Sequence, residues 1–190
     1  MKILVTGGAG FIGTNLIKRL LKEDHEVISI DNYSTGKTEN HIEGVRYYIK
    51  ETICNIVIDP PWQLIGFKPD VVFHMAAIAR IQPSFKHPEE YIDINFNGTY
   101  EIVKYCTKHN IPLIYAGSSS HHSGKFKNPY TFSKDLGEEI IKLYQEHFNL
   151  KASIARFYNV YGPYQLTEGG YTTLIGKWLK NIEKGLPCEI

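Results

Sequence analysis

The chain has 190 residues, enough for one well-packed domain and too few for two ordinary ones. Hydrophobic residues make up 43% and charged residues 22%, the balance of an ordinary globular protein. The net charge is +1 with Lys and Arg scattered, so there is no electrostatic case for nucleic acid or an anionic membrane. No apolar run approaches the length needed to span a bilayer. Met1-Lys2 runs straight into a strand pattern, so no signal peptide is expected. Cys54, Cys106 and Cys188 share no close spacing. Free, mostly buried thiols in a reducing compartment, the cytoplasm, are the simplest account.

The first element is a strand at 2–6, whose apolar Ile3, Leu4 and Val5 run into Gly7, Gly10 and Gly13. A helix at 12–23 follows at once, with Leu16, Ile17, Leu20 and Leu21 on one face. Glycines in such a turn permit backbone conformations that a Cβ forbids, and they let the chain approach a pyrophosphate closely. The free N–H groups and dipole of the helix start favour that negative charge. Gly8, Gly10 and Gly13 also satisfy G-x-G-x-x-G; alone the pattern is weak, and its place between strand and helix gives it weight.

A second strand at 26–30 ends at Asp31, 18 residues past Gly13. A carboxylate there accepts hydrogen bonds from an adenosine ribose and repels a 2′-phosphate, which favours NAD over NADP. Asp31 followed by Asn32 is also an ordinary turn start. A third strand is expected at 45–49. The pattern from 50 to 69 is poor: Pro60-Pro61 breaks any helix, and Trp62, Leu64, Ile65 and Phe67 point to a short one after it. Asp70-Val-Val-Phe-His-Met75 reads as a strand buried on both faces. It ends in His74-Met-Ala-Ala77, where small Ala76 and Ala77 leave room for a cofactor to cross.

A helix at 88–108 leads to a strand at 112–116, and Ser118-Ser119-Ser120 follows directly. The serines therefore stand at the carboxyl edge of the sheet, where ligands of open parallel sheets bind. The next helix, 130–147, begins with Tyr130-Thr-Phe-Ser-Lys134. Residues four apart share a helix face, so the Lys134 ammonium can lower the phenol's pKa and make it a proton acceptor at neutral pH. On spacing alone, a surface Tyr–Lys pair is the commoner meaning. The stretch from Lys142 to Lys151 reads as a solvated helix face. A last strand is expected at 151–156 and a last helix at 170–184. Tyr158, Tyr161 and Tyr164 either stack on a base or sugar or pack the pocket wall. His121-His122 raises the question of a metal, but adjacent histidines rarely chelate one ion and no third ligand is evident nearby, so none is expected. The alternation of strands and helices means a doubly wound parallel α/β sheet of the Rossmann type. Pro187 to Ile190 reads as an incipient strand with nothing to pair against, so the chain is expected to be a piece of a longer one.

Several of these motifs fall in a recognisable order: Thr6-Gly-Gly-Ala-Gly-Phe-Ile-Gly13, Asp31-Asn32, His74-Met-Ala-Ala77, Asn95 with Gly98-Thr99, the serines, Tyr130…Lys134 and Arg156-Phe-Tyr-Asn-Val-Tyr-Gly-Pro163. In this the whole chain resembles the extended short-chain dehydrogenase/reductase superfamily, in its nucleotide-sugar epimerase/dehydratase branch. The resemblance implies an NAD-binding Rossmann domain at 1–168 and the start of a smaller substrate-binding region at 169–190. It implies NAD contacts from Gly7, Gly10, Phe11, Ile12, Gly13, Asp31, Asn32, Ala76, Ala77, Asn95, Tyr130 and Lys134. Tyr130 becomes the base, Lys134 the holder of the nicotinamide ribose and Ser118 the hydroxyl helper, with Ser119 and Ser120 as alternatives. Asn159 becomes a contact to the sugar or diphosphate.

The activity so implied is NAD-dependent epimerisation of a nucleotide sugar, a UDP-hexose at C4, in a homodimer built on the helices at 88–108 and 130–147. Ile92, Phe96, Val103, Leu143 and Phe148 are the apolar positions beyond one stripe on those helices. A dehydratase or keto-sugar reductase, or a dinucleotide-binding sensor without turnover, are the competing readings. Only serines and histidines follow the fifth strand, where the family's dehydratases and decarboxylases carry a carboxylic acid, and this favours the epimerase. The chain departs from the family in two further places. The stretch from the serines to Tyr130 is short, with His121-His122 in place of the usual Val-Tyr-Gly. Lys50-Glu51-Thr52 stands where a Gly-Asp pair is usual.

Overall fold

In a computed structural model, which describes residues 1–49 and 66–188, six parallel strands form one sheet with helices on both faces. The strands are β1 (Lys2–Thr6), β2 (Glu26–Asp31), β3 (Arg46–Ile49), β4 (Val71–His74), β5 (Leu113–Ser118) and β6 (Ala152–Phe157). Their order across the sheet is β3-β2-β1-β4-β5-β6. The order reverses between β1 and β4, so their carboxyl ends splay apart and open a crevice, the ligand-binding place of doubly wound folds. The break at Pro60-Pro61, the helix expected after it, Cys54 and Lys50-Glu51-Thr52 lie outside the described residues.

Period-two alternation assigns the core to two faces. Ile3, Val5, Val27 and Val71 meet Ile17 and Leu20 of α1 (Phe11–Lys22) on one face. Leu4, Ile28, Ile30, Val72, Leu113 and Tyr115 meet Ile102, Val103 and Ile141 on the other. The latter three come from α4 (Gly98–His109) and α5 (Pro129–His147). Full burial of each such aliphatic side chain contributes roughly 1.5–3 kcal/mol.

Local chemistry sets the helix ends. Asn128 caps α5 by accepting from Thr131 N at 2.8 Å, with Pro129 in the first turn. Asn110 ends α4 in the left-handed conformation, with φ 51°. The helix expected at 88–108 is found, in three parts. α3 (Pro88–Tyr91) leads into α4 through a π-helical segment, Ile92–Asn97. α2 (Ile81–Lys86) is not among the expected helices; Pro83 stands in its first turn, where a missing N–H costs nothing. α6 (Leu174–Glu183) is shorter than the 170–184 expected, starting at a Thr173 cap whose hydroxyl accepts from Gly176 N at 2.9 Å. Among the described residues no helix is long and apolar enough to cross a membrane.

Candidate active site

The glycine turn joins β1 to α1, and close packing explains its composition. Gly7 has φ +71°, and a Cβ there would lie 2.8 Å from the Ala76 backbone. A Cβ on Gly13 would lie 2.6 Å from Gly8 Cα. These are contacts that no side chain tolerates, so the turn must be bare. α1 begins at Gly10 with no side-chain cap and no acidic residue in its first turn. Its first N–H groups, which have no intrahelical partner, and its dipole are therefore left for an anion.

A cavity of about 420 Å³ lies over this turn. Gly7, Gly10, Phe11, Ile12, Gly13, Asp31, Asn32, Ala76 and Ala77 line it, nine residues singled out from the sequence. Asp31 is only 8% exposed. Its Oδ2 accepts from Ala9 N at 2.9 Å and its Oδ1 from Tyr33 N at 2.8 Å. Two backbone donors thus fix the carboxylate at the cavity wall with lone pairs to spare. Ser34, Thr35, Glu90, Asp93 and Ile94 also line the cavity and were not singled out. The last three come from α3 and the π segment, and a π turn leaves no periodic mark in a sequence.

Asn95 does not line the cavity; it is fully buried behind the wall. Its Oδ1 accepts from Ile78 N at 2.9 Å, and its Nδ2 donates to Ile78 O and Ser133 Oγ, both at 3.0 Å. Asn95 therefore ties the loop after β4 to the first turn of α5. His74 does similar work one layer deeper. Thr6 Oγ1 lies 2.7 Å from His74 Nδ1 and also accepts from Ala76 N. Thr99 Oγ1 donates to Asn95 O at 2.6 Å and lies 3.0 Å from His74 Nε2. A complete donor–acceptor chain therefore places the His74 proton on Nε2. Burial, and secondarily the Lys134 charge, push His74 down to about 3, so the ring is neutral.

Beyond the cavity, the carboxyl end of β5 meets the start of α5. Ser118 Oγ accepts from Tyr130 Oη at 3.2 Å, Ser120 Oγ at 2.9 Å and Ser120 N at 3.2 Å. Three donors exceed the two lone pairs of a hydroxyl oxygen, so Ser118 stands at the centre of a shared network with Tyr130 and Ser120. Ser118 is thus the serine bonded to Tyr130, and Ser120 supports it. Burial raises the Tyr130 pKa, opposed by the Ser118 hydrogen bond and the positive charge of Arg80. Arg80 itself stands at φ 91°, with Nε and Nη2 donating to Tyr171 O at 3.1 and 3.0 Å.

The expectation that Lys134 lowers the phenol's pKa is not met. Lys134 is 4% exposed, and its Nζ sits 4.3 Å from the centroid of the Tyr115 ring. Burial drives its own pKa down to about 7, with Glu138 partly offsetting the fall. At neutral pH a large share of it carries no charge to lend.

His121 gains partners that sequence distance hid. His121 Nδ1 lies 2.9 Å from Asp135 Oδ1 and 3.8 Å from Glu138 Oε2. These donor atoms lie within 4.8 Å of one another, so the third ligand not evident from the sequence exists in the fold. Its charge is already matched: Arg156 forks onto Glu138 through Nε at 3.1 and 3.2 Å and Nη2 at 2.7 Å. Asn159 lies exposed after β6, with no hydrogen bond to Ser118 or Tyr130 among the described residues. Tyr158 and Tyr161 are exposed, whereas Tyr164 Oη accepts from Lys18 Nζ at 3.0 Å. Cys106 is buried and Cys188 exposed, both free.

The model of the NAD dependent epimerase/dehydratase family matches residues 3–190. The chain belongs to that family. A putative UDP-glucose 4-epimerase of Methanocaldococcus jannaschii is 34% identical, over 94% of this chain and 63% of its own length. The UDP-glucose 4-epimerase of Thermotoga maritima, solved with UDP-glucose, superposes with a TM-score of 0.90 at 27% identity, covering 98% of this chain and 64% of the other. That of Thermus thermophilus, solved with NAD, gives 0.85 at 29% identity, with coverage of 98% and 64%. The chain thus spans less than two thirds of the length of the relatives it matches.

Proposed function

We propose that this chain is the NAD-binding part of a nucleotide-sugar 4-epimerase acting on a UDP-hexose. The observation that carries this reading is the Tyr130–Ser118 hydrogen bond, on the helix start that also holds Lys134, beside a bare glycine cavity walled by Asp31. The cavity fits the dinucleotide. A Cβ would fill the turn at Gly7 and Gly13, and the α1 N-terminus offers unpaired N–H groups. Gly7 to Gly13 would cradle the pyrophosphate, Asp31 and Asn32 the adenosine ribose, and Ala76 and Ala77 would leave it passage. Lys134 would hold the nicotinamide ribose, which draws the amine out of its apolar seat and restores its charge. When bound, NAD supplies the reversible hydride acceptor.

With the Lys134 charge restored, Tyr130 is held as phenolate, and its Oη takes the proton of the sugar hydroxyl as that carbon is oxidised and returns it on reduction. Ser118 orients the same sugar oxygen. Asn159 contacts the sugar or diphosphate. Residues 1–168 form the dinucleotide domain, and 169–190 begin the substrate region. The protein acts in the cytoplasm. A homodimer forms on α5 and on α4 with the π-helical segment before it, through Ile92 and Phe96 of that segment, Leu143 of α5 and Phe148 at its end. Val103 is not part of that surface, since it is fully buried in the core.

A dehydratase is disfavoured because the turn after β5, Ser119–Ser123, carries no carboxylate of its own. Incubation of the full protein with UDP-glucose and NAD tests the reading. UDP-galactose is the expected product, and a 4-keto-6-deoxy sugar would replace the epimerase with a dehydratase.

A further inference from the structure

The turn that carries the serines is held from outside by a half-buried contact to α5. Ser119–Ser123 is a single 3-10 turn directly after Ser118. His121, in its middle, is 2.9 Å from Asp135 Oδ1. A carboxylate only accepts, so His121 Nδ1–H is the donor. Asp135 is buried on α5, next to Lys134. Glu138, one turn further along α5, is fixed by the Arg156 fork from β6. The receiving face is therefore rigid: α5, β6 and two buried carboxylates form it. On the other side the His122 ring lies over Tyr158, centroids 6.4 Å apart and planes 26° apart. The rest of the connection to Tyr130 is held by the pair Lys125–Glu139, at 2.6 Å, by the exposed Phe126 ring against Phe132 of α5, centroids 5.7 Å apart, and by the Asn128 cap. A largely solvated ion pair such as Lys125–Glu139 contributes little.

We propose that His121 is a positioning residue for Ser118 and Tyr130: its bond to Asp135 docks the serine turn against α5 and so sets the spacing of the two hydroxyls. This rests on the reading of Tyr130 and Ser118 as the catalytic pair. The hydroxyls sit on separate elements, the end of β5 and the start of α5, and the 3.2 Å between them depends on how the turn seats on the helix. A shift of an ångström there is enough to cost about a hundredfold in rate. His121 itself touches neither hydroxyl in any described contact, so its effect passes through the turn.

The test compares the wild type with His121→Ala and His121→Asn in the full protein, the Asn amide nitrogen standing in for Nδ1–H. Two readouts are taken: steady-state kinetics on UDP-glucose with bound NAD quantified, and amide hydrogen exchange across 117–124. His121→Ala should lower kcat about 10–100-fold with KM and NAD content unchanged. Exchange in 118–123 should rise about tenfold or more while that of α5 holds. His121→Asn should recover most of both. Unchanged exchange in His121→Ala overturns the proposal. So does faster exchange with wild-type kcat, or an Asn variant that falls as far as Ala. A wild type that converts no UDP-sugar overturns the functional reading instead, and exchange then still decides whether His121 docks the turn.

Discussion

Tyr130 Oη and Ser118 Oγ are 3.2 Å apart, joined across the gap between the start of α5 and the end of β5. Under the proposed reading the phenol, once ionised, is the proton acceptor of the pair, and the serine orients the sugar oxygen. Tyr130→Phe should therefore lower epimerisation about 10²–10⁴-fold, the usual cost of a lost general base, and leave NAD binding nearly intact. Ser118→Ala should cost less. Product is followed by sugar composition, because the net reaction consumes no cofactor. Wild-type turnover in Tyr130→Phe would mean that another group is the base.

Asp31 offers its remaining lone pairs to the cavity from a carboxylate pinned by Ala9 N and Tyr33 N. Asp31→Asn keeps the shape, removes the charge and sets its amide NH2 against one of the two backbone donors. A hydrogen bond to a charged group is worth about 1.5–3 kcal/mol, so NAD affinity should fall about 10–100-fold. Affinity for NADP should fall less or rise, because the repulsion of a 2′-phosphate is relieved. Titration of both cofactors into both proteins measures the gap. A wild type that binds NADP as tightly as NAD would contradict the assignment.

The strands and long helices were legible because their signals are local. Ile3, Leu4 and Val5, the bare glycines and the Asn128-Pro129 start each act within a few residues. The cavity was legible through its glycines and Asp31 for the same reason. What the sequence concealed depends on contacts between distant segments. Spacing puts Lys134 beside Tyr130 but does not say where a long side chain ends, and its tip lies over Tyr115, on β5. Likewise Asp135 and Glu138 are remote from His121 and Arg156 in the chain. Only the packing of α5 against β5 and β6 brings them together. Asn95 carried a motif position, yet whether it lines the cavity or braces the wall depends on where Ile78 and Ser133 fall.

The helices proposed to pair present a continuous apolar and aromatic face. Phe96 stacks on Tyr100, Tyr100 meets Tyr144 edge-on, and Tyr144 packs on Phe148, with centroids 6.5, 6.0 and 4.7 Å apart. Leu143 and Phe148 remain 46% and 54% exposed. Paired Leu143→Glu and Phe148→Lys substitutions should convert a dimer to a monomer in sedimentation while NAD binding persists. A wild type that sediments as a monomer at micromolar concentration would contradict the dimer.

Lys134 makes a stability prediction that needs no substrate. Its amine titrates at about 7 in the folded protein without cofactor, against an ordinary lysine value of 10.5. Between those values the unfolded chain holds a proton that the folded chain has released. Stability must therefore rise with pH through this window, by at most about 1.4 kcal/mol per unit. Below pH 7 both states are protonated, and the full cost of burying the ammonium is felt. Lys134→Met replaces the charge with an apolar chain that can lie against the Tyr115 ring. The variant should be more stable than the wild type at pH 7 and should lose the rise between pH 7 and 9, a range below the titration of ordinary tyrosines. Urea denaturation at intervals across that range reads both effects. A variant with the same pH dependence as the wild type would show that Lys134 does not titrate there. The same variant should bind NAD more weakly, since the group proposed to meet the ribose is gone, so stability gained in the free protein would be offset once cofactor is added.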